Sequence, residues 1–302
     1  MNIAILGAGA IGQLLAHQLA KAGAAPTLLL KAGKPCSASQ SFGCLTPEGE
    51  SLQTFSQCTL DAPASAFTHC RLLLVTLKAY QVLDALQALL PKLPLGCHIL
   101  LLHNGLGPHS KLQPRLDGRG LSLGTTSQGA LRLGPHQIRH TGKGLTQLGH
   151  FAGPALADND KALLLRAIPG SEWLADILPA LWGKLAVNAA INPLTALDDV
   201  PNGRLAEAAY QPTIDAIIHE LVQVAAKEGL QLQAHALLKR VRDVIELTAD
   251  NSSSMRQDLL HGRPSEIDAI NGYLVQLAQR HGLELPINQK LTRQIKQREA
   301  AL

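Results

Sequence analysis

Apolar residues follow two rhythms along this chain, and the change from one to the other falls near residue 175. Short apolar runs at 3–6, 27–30, 71–76 and 98–103 predict buried strands, alternating with helical spacing over 10–22 and 82–90. Such alternation is what parallel strands joined by helical crossovers produce. Further runs at 122–127, 137–141 and 146–148, set among glycines and prolines, predict additional strands. From about residue 178 a 3.6-residue period takes over, with helices expected at 181–197, 213–228, 234–247 and 265–280. Gly229 and Gly282 stand where helix-ending glycines belong. Pro169, Gly170 and Ser171 supply a turn at the change of class. The expected fold class is α/β: a doubly wound sheet in residues 1–174, then an all-helical domain in residues 175–302. A chain of 302 residues is long enough for two cores.

Composition narrows the partners. With 27 basic against 23 acidic residues, scattered rather than massed, the chain has no nucleic-acid footprint. Its five cysteines, Cys36, Cys44, Cys58, Cys70 and Cys97, show neither CxxC pairs nor zinc-like spacing with histidine. No metal site is expected. The N-terminus lacks a basic n-region, glycines interrupt any signal-like core, and no apolar run reaches the ~18 residues a membrane span needs. The expectation is a cytoplasmic protein without membrane contact.

The segment NIAILGAGAIG places Gly7, Gly9 and Gly12 in GxGxxG spacing, directly after a strand and opening a helix. Glycine serves first the tight turn, then close approach of backbone to a pyrophosphate, then helix–strand packing. The phosphates would sit at the positive helix end. This context points to a Rossmann dinucleotide domain, with Gly7, Gly9, Ala10, Ile11 and Gly12 lining the cofactor. A purely structural turn is the plainer alternative. The second strand ends on Lys31, where an NAD-binding domain usually carries a carboxylate. Lys31, with Lys34, would attract a 2′-phosphate that a carboxylate repels, so NADPH/NADP+ is the expected cofactor. Both lysines also suit a solvated loop.

In the segment LWGKLAVNAAINPLTAL, Lys184, Asn188 and Asn192 fall at i, i+4 and i+8, one narrow stripe of an otherwise apolar helix. Two readings stand side by side: a solvated face, or a polar row facing a cleft where the lysine charge meets a carbonyl or hydroxyl oxygen.

Together with VTLKAYQ, HNGLG, PNG, NSSSM and EIDAINGYL, this segment resembles the ketopantoate reductase (2-dehydropantoate 2-reductase) family over most of the chain. The resemblance implies a Rossmann domain followed by a helical domain of the 6-phosphogluconate dehydrogenase type. It also implies reduction of ketopantoate to (R)-pantoate by NADPH, on the route to pantothenate and coenzyme A. Lys184 then corresponds to the general acid, and Glu266 to the group that hydrogen-bonds the substrate hydroxyl. Asn188, Asn192, Asn251 and Ser254 correspond to substrate contacts, and Asn104 and Lys78 to residues beside cofactor and substrate. Gln81 is expected near the nicotinamide. A small 2-keto acid is thus the implied partner, with a monomer or homodimer as the assembly.

Each assignment has a local alternative. SEID resembles a capping box with Glu266 as a favourable charge in a helical first turn. Asn104 with Gly105 reads as a turn, Lys78 as a surface charge, and Asn251 with Ser252 to Ser254 as a helix cap. Asn202, in PNG, is read as a turn residue outside the site. Two departures accompany the resemblance: Lys31 stands where relatives commonly have arginine, and Gly183 where they often have a longer basic residue. Competing functions are a reductase of another branched 2-keto acid on the same scaffold, and a non-catalytic NADP-binding regulator.

Overall fold

The computed structural model describes residues 1–301. They form two compact units, one of residues 1–103 and 108–177, the other of residues 104–107 together with the described residues from 178 onward.

The first unit is built on strands β1 (Ile3–Leu6), β2 (Thr27–Leu30), β3 (Ser39–Thr46), β4 (Gly49–Thr59), β5 (Leu72–Val75) and β6 (His98–Leu101), followed by β7 (Leu121–Thr126), β8 (Gly129–Gly134), β9 (Gln137–Gly142), β10 (Thr146–Ala152) and β11 (Ser171–Leu174). Its helices are α1 (Ala10–Lys21), α2 (Ala79–Leu89), α3 (Pro108–Leu112) and α4 (Asp158–Ala167). The strands run β11-β10-β7-β6-β5-β1-β2-β4-β3-β9-β8 across the sheet. From β4 to β7 all neighbours are parallel. Counting β4 as the third parallel strand, this is the 3-2-1-4-5-6 order of dinucleotide-binding sheets. Every residue of β1, β5 and β6 is buried, as in sheets covered on both faces. Leu15, Ala16 and Leu19 of α1 close one face over Ile3, Ile5, Leu28 and Leu72.

Two departures from the expected strand pattern are instructive. The antiparallel β3–β4 hairpin fills the stretch between β2 and β5, where serine, glutamine and glycine dilute the apolar signal. Its buried positions are few: Phe42, Gly43, Cys44 and Phe55. β11 is short and half-buried, pairing parallel with β10 at the sheet edge.

The second unit comprises α5 (Leu178–Asp198), α6 (Gln211–Lys227), α7 (Ala234–Leu247), α8 (Ser254–Leu260), α9 (Asn271–Arg280) and α10 (Pro286–Ala300). Helix α5 is its axis and packs against α6, α7, α8 and α10. Leu185, Ala189, Ile214, Ile218, Val241, Leu274 and Ile295 are all buried in this unit. The helix expected over 265–280 begins only at Asn271; residues Ile267–Ala269 form a 3-10 turn instead. The apolar spacing of Ile267, Ile270 and Leu274 suits a helix, but the backbone leaves helical geometry at Ile270 (φ −107°, ψ −97°). No helix among the described residues is long and apolar enough to cross a membrane.

Candidate active site

In the first unit, the glycine motif makes the turn between β1 and α1. A Cβ at Gly12 would lie 1.9 Å from the Gly7 carbonyl oxygen, so only glycine lets α1 sit this close to the turn. Thr76 holds the same carbonyl, its hydroxyl donating to it at 2.7 Å. At Gly9, by contrast, an added Cβ would meet nothing within 4 Å. Gly9 is the N-cap of α1 and supplies no side-chain cap, which leaves the first helical N–H groups open toward that space. Ala10 and Ile11, both half-buried, open the helix. Bare helix-end amides beside an uncrowded glycine are what a pyrophosphate requires.

Lys31 and Lys34, at the end of β2, are exposed. Their loop is tied down by Asp61, whose carboxylate accepts from Gly33 N–H at 3.1 Å. Lys78 is the half-buried N-cap residue of α2, and Gln81 is exposed one turn along that helix.

In the second unit, α5 sets out the polar stripe as its spacing demands. Lys184 and Asn188 are partly buried and Asn192 almost wholly so. Neither asparagine spends its amide on a hydrogen bond within the described residues, so both remain available to a ligand. The stripe is therefore not a solvated face. Burial pushes the Lys184 pKa down to about 8, with the Glu266 carboxylate acting against that fall and the Arg240 guanidinium adding to it.

Glu266 reaches this helix from the loop ahead of α9. It is 5% exposed, too buried for a solvated first-turn charge. It does not complete a capping box, since the backbone there is not α-helical. Its carboxylate accepts instead from the Asn104 side-chain amide at 3.2 Å. Asn104 comes from the HNGLG loop, which docks on this unit through Leu106 N–H donating to Ala269 O at 2.7 Å. A Cβ at Gly105 would strike that same carbonyl, 2.3 Å away, which gives the glycine after Asn104 its physical reason. Asn104 thus holds Glu266, and the Glu266 carboxylate acts electrostatically on Lys184 of the apolar helix α5.

Asn251 and Ser254 enter differently. Both are exposed, and neither side chain hydrogen-bonds within the described residues. The helix cap in NSSSM is Ser253, whose buried hydroxyl accepts from Arg256 N–H at 3.1 Å and lies 2.7 Å from the Thr195 hydroxyl of α5. Ser254 follows as the first residue of α8. Asn202, expected as a simple turn residue, is buried and ties PNG to this segment: its N–H donates to Asn251 O and its side chain to Thr248 Oγ1.

Sequence reasoning missed Arg240 and Asn271, whereas the helix cap it offered within Ser252 to Ser254 is Ser253. Arg240 lies in the basic run KRVRD, which reads as a solvated face. Asn271 reads as an ordinary helical residue, yet it is fully buried, donating to Ala189 O and to Asn288 Oδ1.

Comparison with known proteins adds a second line. Residues 3–153 match the family model described as ketopantoate reductase PanE/ApbA, and residues 176–299 match its C-terminal counterpart. The chain is 40% identical to the 2-dehydropantoate 2-reductase of Vibrio cholerae serotype O1, covering 98% of this chain and 97% of that protein. Among solved structures it is similar to a PanE/ApbA family ketopantoate reductase from Ralstonia eutropha JMP134. The TM-score is 0.88 at 27% identity, covering 100% of this chain and 99% of the other. A D-mandelate dehydrogenase solved with NADH and anilino(oxo)acetate shares the fold, with a TM-score of 0.90 at 23% identity over 100% of this chain and 99% of that one.

Proposed function

The chain belongs to the ketopantoate reductase family, and from that premise we propose that it reduces 2-dehydropantoate to pantoate with NADPH, on the route to pantothenate. The observation that carries the reading is the electrostatic influence of the Glu266 carboxylate, held by Asn104, on Lys184 of the largely buried helix α5. A partly buried lysine whose pKa is lowered to about 8 beside a carboxylate favours a site that uses its proton over a non-catalytic cofactor-binding protein.

The first unit's residues fit a dinucleotide. Gly7, Gly9, Ala10, Ile11 and Gly12 would hold its pyrophosphate, Lys31 and Lys34 a 2′-phosphate, and Lys78 and Gln81 the remainder of the cofactor. When bound, the reduced nicotinamide supplies the hydride.

The other steps belong to this chain's own side chains. Lys184 N–H⁺ stabilises the negative charge that develops on the ketone oxygen and donates its proton there. A pKa near 8 leaves the lysine protonated at neutral pH yet able to release the proton. Glu266, oriented by Asn104, accepts from the hydroxyl that results and keeps Lys184 charged. Asn188 and Asn192 hold the substrate's other polar groups, and Asn251 and Ser254 face its carboxylate end, a contribution that is largely positional.

The test is loss of NADPH absorbance on addition of ketopantoate, with pyruvate and 2-oxoisovalerate as controls and NADH as the alternative cofactor. A second reading, reductase of another 2-keto acid, is favoured by the fold shared with D-mandelate dehydrogenase. A higher kcat/KM for another keto acid in that panel would establish it over the first.

A further inference from the structure

Gly183 precedes Lys184 in the interior of α5, where glycine costs about 1 kcal/mol relative to alanine. The position is buried, and the space a side chain would take is already occupied. A Cβ built there would lie 2.7 Å from Nη1 of Arg240 and 3.4 Å from its Cζ. Arg240 belongs to α7, which packs on α5, so its guanidinium lies against the backbone one residue from the lysine.

The neighbours of Arg240 on α7 are differently employed. Lys239 pairs with Asp243 at 2.7 Å and Arg242 with Asp215 at 3.1 Å. Arg240 has no carboxylate partner among the described residues. The charged groups that bear on Lys184 from the surrounding elements are Glu266 and Arg240. Two cations and one carboxylate leave this group with one positive charge to spare, and a 2-keto acid brings one carboxylate. Without Arg240 the same substrate would leave the site negative.

We infer that Arg240, admitted by the missing side chain at Gly183, is the second cation of the substrate site and attracts the carboxylate of the 2-keto acid. The inference rests on the reductase reading above. Arginine suits the part because it stays protonated throughout the pH range in which Lys184 titrates. It acts through its charge on the carboxylate and on Lys184, and is a positioning residue rather than a catalytic one.

Steady-state kinetics of Arg240→Met, Arg240→Lys and Gly183→Ala, with NADPH and ketopantoate across pH, test this. Arg240→Met is expected to raise KM for ketopantoate about two- to fivefold, the worth of one exposed charge pair, while kcat changes little. Losing a neighbouring cation raises the Lys184 pKa, so the alkaline fall of kcat/KM moves to higher pH. Arg240→Lys restores KM, and the difference closes at about 1 M salt, where charges are screened within ~3 Å. Gly183→Ala displaces only the mobile end of Arg240 and should fold at least as stably, yet shift KM in the same direction. A wild-type KM with an unmoved pH profile in Arg240→Met overturns the inference. So does a loss that lysine does not restore and salt does not screen, which would mark a packing role. If the wild-type protein does not oxidise NADPH with ketopantoate, it is the reductase reading that fails, and this inference falls with it.

Discussion

Asn271 donates a hydrogen bond from its side-chain amide to the carbonyl oxygen of Ala189, 3.1 Å away. That carbonyl is four residues before Pro193, which has no N–H to give it, so the proline inside α5 would otherwise leave a buried acceptor unpaired. The same amide donates to Asn288 Oδ1, and Asn288 in turn donates to Glu220. The repair thus joins the helix of Lys184 to the helix that follows Glu266. Asn271→Ala should cost about 1–3 kcal/mol, the penalty of an unsatisfied buried group. Urea unfolding monitored by circular dichroism reads it, and a change within about 0.5 kcal/mol, the size of an ordinary surface substitution, would show that water or relaxation satisfies Ala189.

Much of this was legible in the sequence, for identifiable reasons. β1, β2 and α7 stand where their apolar periods put them, because each pattern is local and strong. The stripe of Lys184, Asn188 and Asn192 was legible for the same reason. α4 and α10 were not: in DNDKALLLRA the apolar residues bunch in one short run without a repeated helical period, and PINQKLTRQIKQREA carries too few to stand out. Nor was the partnership of Arg240 with Gly183 or of Asn271 with Ala189. Each is a contact between elements far apart in sequence, and nothing in a basic run or an asparagine announces which helix it will meet.

The two neighbouring serines of NSSSM should separate cleanly. Ser253 caps α8 and touches Thr195, so Ser253→Ala is expected to cost about 1 kcal/mol of stability. Ser254 is exposed and uncommitted, so Ser254→Ala should leave the melting temperature unchanged. If it meets the substrate carboxylate, it raises KM for ketopantoate more than it lowers kcat, because such a contact binds ground and transition states alike. An unchanged KM removes Ser254 from the site.

Cofactor preference turns on the exposed lysines after β2. Lys31→Asp replaces an attractive charge by one that repels a 2′-phosphate and can accept from a ribose diol. The ratio of kcat/KM for NADPH over NADH is expected to fall toward or below unity. Equal values for the two cofactors in the wild-type protein would instead show that Lys31 does not discriminate.

Lys184 carries the sharpest prediction, because its chemistry and its titration can be tested together. Its protonated form is the acid, and its folded pKa is about 8 against an ordinary 10.5, so kcat/KM should decline as pH rises through about 8. Glu266→Gln removes the carboxylate that holds this value up, and the decline should then begin at lower pH. Stability runs the other way. Between about 8 and 10.5 the unfolded chain binds the lysine proton that the folded one has shed, so this group makes the protein more stable as pH rises through that window. Lys184→Met keeps much of the side chain's apolar length but deletes both charge and proton. It should fold, bind NADPH through Gly7 to Gly12, and lose the pH-dependent stability term. Turnover should fall by ~10² to 10⁴, the contribution of a positioned general acid. A folded Lys184→Met protein that reduces ketopantoate within about threefold of wild type, far short of that range, would make the lysine a partly buried structural residue and not the acid of the reaction.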